Sequence, residues 1–169
     1  MSIAYLMLLA FPAAMILAAL SDLFTMTIPN RISLVLFALF LVIAPIAGLS
    51  LEETLMHLAA GFAVLVLGII LFATGTFGGG DAKLMAAGAL WLGIGQIVPY
   101  FAYITILGGV LAVAILLYRR IPEMLFPPLV PVWATRLHQR DCGIPYGIAI
   151  SAATLIAFPS TKLYALILA

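Results

Sequence analysis

Residues 3–22 read IAYLMLLAFPAAMILAALSD: eighteen apolar positions, a serine, then an aspartate. An α-helix rises 1.5 Å per residue, so such a run approaches the roughly 20 residues needed to span the hydrocarbon core of a bilayer. It contains no Lys or Arg, and no small-residue cleavage site follows it, so it reads as a retained helix and not a removable signal. Working outward, six such stretches appear: Ile3 to Leu20, Ile32 to Gly48, Leu58 to Ala73, Leu84 to Val98, Tyr100 to Tyr118 and Ile144 to Phe158. The expected fold is all-α: a polytopic membrane protein with six transmembrane helices, organised as one membrane-embedded domain over residues 1–169.

Composition supports this class. Hydrophobic residues make up 66% of the 169 positions and charged residues 8%, whereas a soluble domain carries about 25% charge. Seven basic and six acidic side chains are too few to cover a soluble domain of this size. A net charge of +1 provides no basic field for nucleic acid. The single cysteine, Cys142, excludes an internal disulfide framework and a multi-cysteine zinc site. No metal or cofactor is expected.

Loop charges orient the helices. With the N-terminus outside, the inner side holds Arg31, Lys83, Arg119, Arg120, Arg136 and Arg140, and the outer side holds Lys162 alone. This is the positive-inside bias, and it places both termini on the outer, periplasmic side. Glu52, Glu53 and His57 fall in an outer loop. The longest non-spanning piece, residues 119–143, reads RRIPEMLFPPLVPVWATRLHQRDCG. Pro122, Pro127, Pro128 and Pro131 argue against one continuous helix, while Leu125, Phe126 and Trp133 argue for partial burial. An interfacial segment fits both. Gly61, Gly68 and Gly75 recur every seven residues, and Gly108 and Gly109 stand mid-span; both sets read as packing surfaces between helices.

Acidic side chains are scarce enough to weigh singly. Glu52, Glu53 and Glu123 read as solvated, and Asp141 as an exposed partner of Arg140. Asp22 and Asp81 differ. The charge-derived topology puts both at the inner ends of helices, at one membrane face, although 59 positions separate them. Alone, each fits a cap or a snorkelling charge, and Asp81 fits an N-cap of the fourth helix. Together they fit a reaction. Two close carboxyls share a proton; the ionised one activates water, and the protonated one polarises a carbonyl and later protonates the leaving amine. The run Gly78-Gly79-Gly80 before Asp81 would let a substrate backbone approach.

Other hydrolytic chemistries find no residues. HExxH and GxSxG are absent, His57 and His138 fall on opposite faces, and no third group supports a His138–Cys142 pair. The glycine run lacks the spacing of a phosphate loop.

Three segments then carry a resemblance. Gly78-Gly79-Gly80-Asp81-Ala82-Lys83-Leu84 resembles the GxGD signature of type IV prepilin peptidases. Ser21-Asp22, with Thr27-Ile28-Pro29-Asn30-Arg31 after it, resembles the family's first-aspartate segment. Ile144-Pro145-Tyr146-Gly147-Ile148-Ala149 resembles the Pro-Tyr-Gly stretch that opens the last helix of small members. The resemblance implies a membrane-embedded aspartic endopeptidase of the bacterial inner membrane. Such an enzyme cuts the short basic leader from prepilins at the cytoplasmic face, just before the apolar helix of the mature pilin. It implies Asp22 and Asp81 as the catalytic pair, with Gly78 and Gly80 shaping the loop. Lys83 would be an anchor to lipid phosphate or a charge near the pair, and Tyr146 a hydrogen-bond donor near the site.

Larger family members carry a cytoplasmic insertion with a four-cysteine zinc motif and also N-methylate the new pilin terminus. Here only the residues from Asp22 to Ser33 stand where that insertion would lie, and there is one cysteine. The resemblance therefore implies the small CpaA/TadV type of Flp, tight-adherence pilus systems, without N-methyltransferase activity. Its partners would be a prepilin, membrane lipids and the pilus-assembly machinery. Two alternatives stay open: a transporter or proton-relay subunit, for which intramembrane acids are also typical, and a non-enzymatic pilus assembly protein.

Overall fold

The computed structural model describes residues 3–122 and 129–168, with side chains from Leu9 onward. It is all-helical, and no strand occurs among the described residues. In chain order the helices are α1 (Ile3–Thr25), α2 (Asn30–Ile46), α3 (Leu51–Ala73), α4 (Gly79–Leu92), α5 (Ile97–Tyr118), α6 (Val132–His138), α7 (Tyr146–Ala157) and α8 (Lys162–Leu168). Short 3-10 turns lie at Ile94–Gln96 and Phe158–Ser160. Residues 51–73 and 94–118 are each long and apolar enough to cross a membrane. Helices α7 and α8 reach that length together, across a 62° bend, and α1 and α2 contribute shorter apolar helices.

Helix α4 is the centre of the bundle. Ala82 and every residue from Leu84 to Leu92 are buried, the pattern of a helix enclosed on all sides. Its sequence explains this, because GGDAKLMAAGALWL alternates bulky residues with Ala and Gly and so lets neighbours approach. On α3, a Cβ at Gly61 would sit 2.9 Å from Leu90 Cβ, and one at Gly68 would sit 2.8 Å from Ala82 Cβ. Only glycine permits that spacing. Trp91 closes the core. Its ring stacks on Phe11 at 4.4 Å, and its indole N–H donates to the Leu36 carbonyl at 2.9 Å, so α1, α2 and α4 meet there with no unpaired donor.

Several expectations are corrected. The fourth stretch ends at Leu92 rather than Val98, because Gly93 turns the chain with φ +75°, a conformation that favours glycine. Ile94 to Val98 therefore lead into α5. Hydropathy cannot locate such a break, since both sides of it are apolar. Helix α3 begins at Leu51 instead of Leu58, because Ser50 and Glu53 form a reciprocal capping box that starts it through a polar first turn. Glu53 also pairs with Lys162, so it is not simply solvated. Asp141 and Arg140 are exposed, yet they form no ion pair with each other among the described residues. Gly61 and Gly68 pack as expected, but Gly75 lies beyond α3 in a turn with φ +74°, and Gly109 faces open space. Of the 119–143 segment, Glu123, Leu125, Phe126, Pro127 and Pro128 lie outside the described residues. The remainder forms α6 after Pro131, against the ends of α1 and α5.

Candidate active site

The site begins where α1 ends. Thr25 Oγ1 donates to the Ser21 carbonyl at 2.7 Å, and Ser21 Oγ donates to the Thr27 carbonyl at 2.8 Å. These local bonds compete with helix continuation. Met26 then takes a left-handed conformation, φ +55°, which turns the chain out of the helix. Thr27 and Ile28 pass over the end of the bundle, and Pro29, fixed at φ −60°, starts α2.

This turn leaves Asp22 inside α1, one helical turn before its end, and 5% exposed. Asp22 Oδ2 accepts the backbone N–H of Gly147 at 2.7 Å. Gly147 is the second residue of α7, where backbone N–H groups have no partner within the helix. The carboxylate thus takes up a donor that a neighbouring helix leaves open. A Cβ on Gly147 would lie 2.8 Å from that same Oδ2 and 2.8 Å from Ile28 Cδ1, so glycine is required for the contact.

Asp81 lies in the first turn of α4, not at its cap. Gly78 occupies the N-cap and Asp81 stands three positions further on. Its carboxylate folds back over Gly78, where a Cβ would fall 2.5 Å from Oδ2. A negative side chain in the first turn is favoured by the helix dipole. Asp81 is half-buried and lies within electrostatic reach of Asp22. Ile28 joins the two halves. It touches the Gly147 position on one side and the Gly80 position on the other, where a Cβ would lie 3.2 Å from Ile28 Cβ. The three segments singled out from sequence therefore converge at one end of the bundle.

The other expected site residues divide. Lys83 Nζ donates to Asn30 Oδ1 at 2.8 Å, so α4 is tied to the start of α2. Tyr146 turns its ring toward Gly108 on α5, whose Cβ position is 3.1 Å from Cε1. The contact with Asp22 comes from the next residue's backbone. Sequence reasoning missed Gly147 in that role, although Pro145-Tyr146-Gly147 was the available signal. It also missed Arg119, read only as an inner charge. Arg119 donates from Nε to the Leu137 carbonyl at 2.9 Å, and from Nη2 to the carbonyls of Cys142 at 2.6 Å and Gly143 at 3.0 Å. It pins the strand of chain that leads into Gly147.

His57 lies at the opposite end, where its Nδ1 bonds the Leu90 carbonyl at 2.8 Å. Among the described residues, no group of three His, Cys, Asp or Glu side chains could hold a metal ion. A buried and a half-buried carboxyl beside a helix N-terminus and a glycine-lined approach can bind a water and move protons. The model of the type IV leader peptidase family matches residues 9–115, a range that includes Asp22, Asp81 and Lys83. No curated protein and no solved structure matches the chain.

Proposed function

The chain belongs to the type IV leader peptidase family, and from that premise we propose that it is a membrane-embedded aspartic endopeptidase cutting the leader from type IV or Flp-type prepilins at the cytoplasmic membrane face. The observation that supports this reading is that the segments carrying Asp22, Ile28, Asp81 and Gly147 meet at one end of the bundle, with Ile28 between Gly80 and Gly147.

Asp22 and Asp81 form the catalytic pair and share one proton. The Gly147 N–H offers a hydrogen bond to the Asp22 carboxylate, and charge on one carboxyl of a close pair favours retention of the proton by the other. Asp22 removes a proton from the attacking water as its oxygen bonds to the scissile carbonyl carbon. Asp81 donates its proton to the carbonyl oxygen as the tetrahedral intermediate forms. As the intermediate collapses, Asp81 takes back a hydroxyl proton, the C–N bond breaks, and the leaving amine takes the proton held by Asp22, which restores the pair. Gly78 and Gly80 leave space for an extended substrate backbone beside Asp81. The prepilin's apolar helix approaches through the bilayer, and its basic leader remains on the cytoplasmic side.

The six-span plan with both termini outside supports this reading through its loop charges. The short Asp22-to-Ser33 connection and the lone Cys142 support, through the family resemblance, a single domain of the small CpaA/TadV type without methyltransferase activity. The enzyme would then reside in the bacterial inner membrane alongside pilus-assembly machinery. A transporter or relay role would place acids near mid-bundle, whereas Asp22 and Asp81 lie at helix ends.

Co-expression with a Flp-type prepilin tests the reading. Wild type should shift the prepilin to its mature size, and Asp22→Asn and Asp81→Asn at matched expression should each fall by at least about 100-fold. Cleavage at the wild-type rate by either variant would remove that aspartate from the reaction.

A further inference from the structure

A groove of about 590 Å³ runs between α2, α3 and α4, and neither Asp22 nor Gly147 lines it. Its walls are apolar along most of their length, with Leu34, Phe62 and Leu65 among them. Its polar groups are Asn30, Ser33 and Lys83.

The chemistry at Asn30 and Lys83 is one-sided. Lys83 donates to Asn30 Oδ1, which orients the amide and leaves both protons of its NH2 for a ligand. The ammonium has two further protons. Helix α2 starts here without a side-chain cap, adding backbone donors and the positive end of its dipole. Ser33 lines the groove, but its hydroxyl oxygen is buried and has no hydrogen-bond partner among the described residues. The charged group at this end is the Lys83 ammonium, beside the positive end of α2, so the complement is an anion.

The rest of the groove sets the ligand's shape. A helix with side chains is a rod about 10–12 Å across. An acyl chain is narrower and flexible enough to follow the groove. We propose that this groove is a seat for an anionic phospholipid, with one acyl chain between α2, α3 and α4 and the headgroup phosphate on Lys83 and Asn30. A lipid held there would brace the α2–α4 contact next to Asp81. The proposal requires that the chain sit in a bilayer; it does not require that it cleave prepilin.

The test uses the full chain in nanodiscs made from equal parts phosphatidylcholine and phosphatidylglycerol, then released into detergent for native mass spectrometry. Wild type should retain one phosphatidylglycerol in preference to phosphatidylcholine. Lys83→Gln should lower that retention about tenfold, and Lys83→Arg should preserve it, the tenfold loss corresponding to about 1.4 kcal/mol. Because Lys83→Gln also breaks the bond to Asn30, Leu34→Trp provides a second arm: it fills the groove, keeps Lys83 and should release the lipid equally. Unchanged retention in both Lys83→Gln and Leu34→Trp would overturn the proposal, as would equal retention of the two lipids by wild type. Displacement of the lipid by a prepilin helix that crosslinks to a photoreactive residue at position 62 would assign the groove to substrate instead. Catalytically silent Asp81→Asn protein serves equally well, so failure here is separable from failure of the peptidase reading.

Discussion

The backbone N–H of Gly147 donates to Oδ2 of Asp22 at 2.7 Å, across 125 positions of sequence. It is the one hydrogen bond to the Asp22 carboxylate among the described residues, and it fixes that group's orientation. It also makes α7, which lies beyond the matched family region of 9–115, part of the candidate site.

Gly147→Ala tests the contact directly. The N–H survives the change, but the new methyl would meet Asp22 Oδ2 and Ile28 Cδ1, each at 2.8 Å. Asp22 must rotate or α7 must shift. Misplacement of a reacting group by about 1 Å can cost about 100-fold, so prepilin cleavage should fall roughly 10- to 100-fold. A quantitative gel assay at matched membrane levels reads the outcome. Wild-type cleavage would mean that the Asp22 orientation does not matter to the reaction.

Gly78→Ala makes the corresponding test on Asp81. Gly78 has φ −73° and ψ 138°, which alanine adopts without strain. The only conflict is with Asp81 Oδ2, 2.5 Å from the new Cβ. Cleavage should drop by at least about tenfold while thermal unfolding in detergent stays near wild type. A large loss of stability with proportionate loss of activity would indicate a structural glycine instead.

The pH dependence follows from the shared proton. At low pH both carboxyls are protonated and no base remains; at high pH both are ionised and no acid remains. Cleavage of a detergent-solubilised prepilin should trace a bell, with both limbs belonging to the Asp22–Asp81 pair as a unit. Any residual activity of Asp81→Asn should lose the high-pH limb, because the amide cannot ionise. A single-limbed profile for wild type would argue against paired carboxyl chemistry.

What could be read in the sequence was local, and what could not was geometric. The apolar runs, Asp22 and Asp81 are visible as residue types at particular spacings. Gly93 is one of three glycines between Gly88 and Gly95 in apolar surroundings, and nothing in its neighbours marks it as the turn that ends α4. Tyr146 attracted notice because its side chain carries chemistry, yet the contact with Asp22 comes from the backbone of Gly147, a group every residue except proline has. Ile28 was visible only as part of a motif. Its function in holding Gly80 and Gly147 apart depends on a close approach between α4 and α7 that no periodicity encodes.

Arg119 shows how a residue can satisfy one rule for an unrelated physical reason. Its charge fits the inner-loop bias, but its guanidinium spans three carbonyls, those of Leu137, Cys142 and Gly143. Those bonds fasten the end of α5 to the chain entering α7, only four residues before Gly147. Arg119→Met keeps the apolar stem and removes the donors. Hydrogen bonds to a charged group contribute about 1.5–3 kcal/mol each in favourable cases, so the segment should loosen measurably. Faster amide exchange is expected over residues 140–147, with cleavage several-fold below wild type. Lys at the same position keeps the charge and the inner-loop bias but has no planar fork to bridge three acceptors. Arg119→Lys should therefore resemble Arg119→Met in exchange and activity while retaining wild-type membrane orientation. If Arg119→Lys instead restores full cleavage, the charge alone suffices, and the three-carbonyl clasp does not position Gly147.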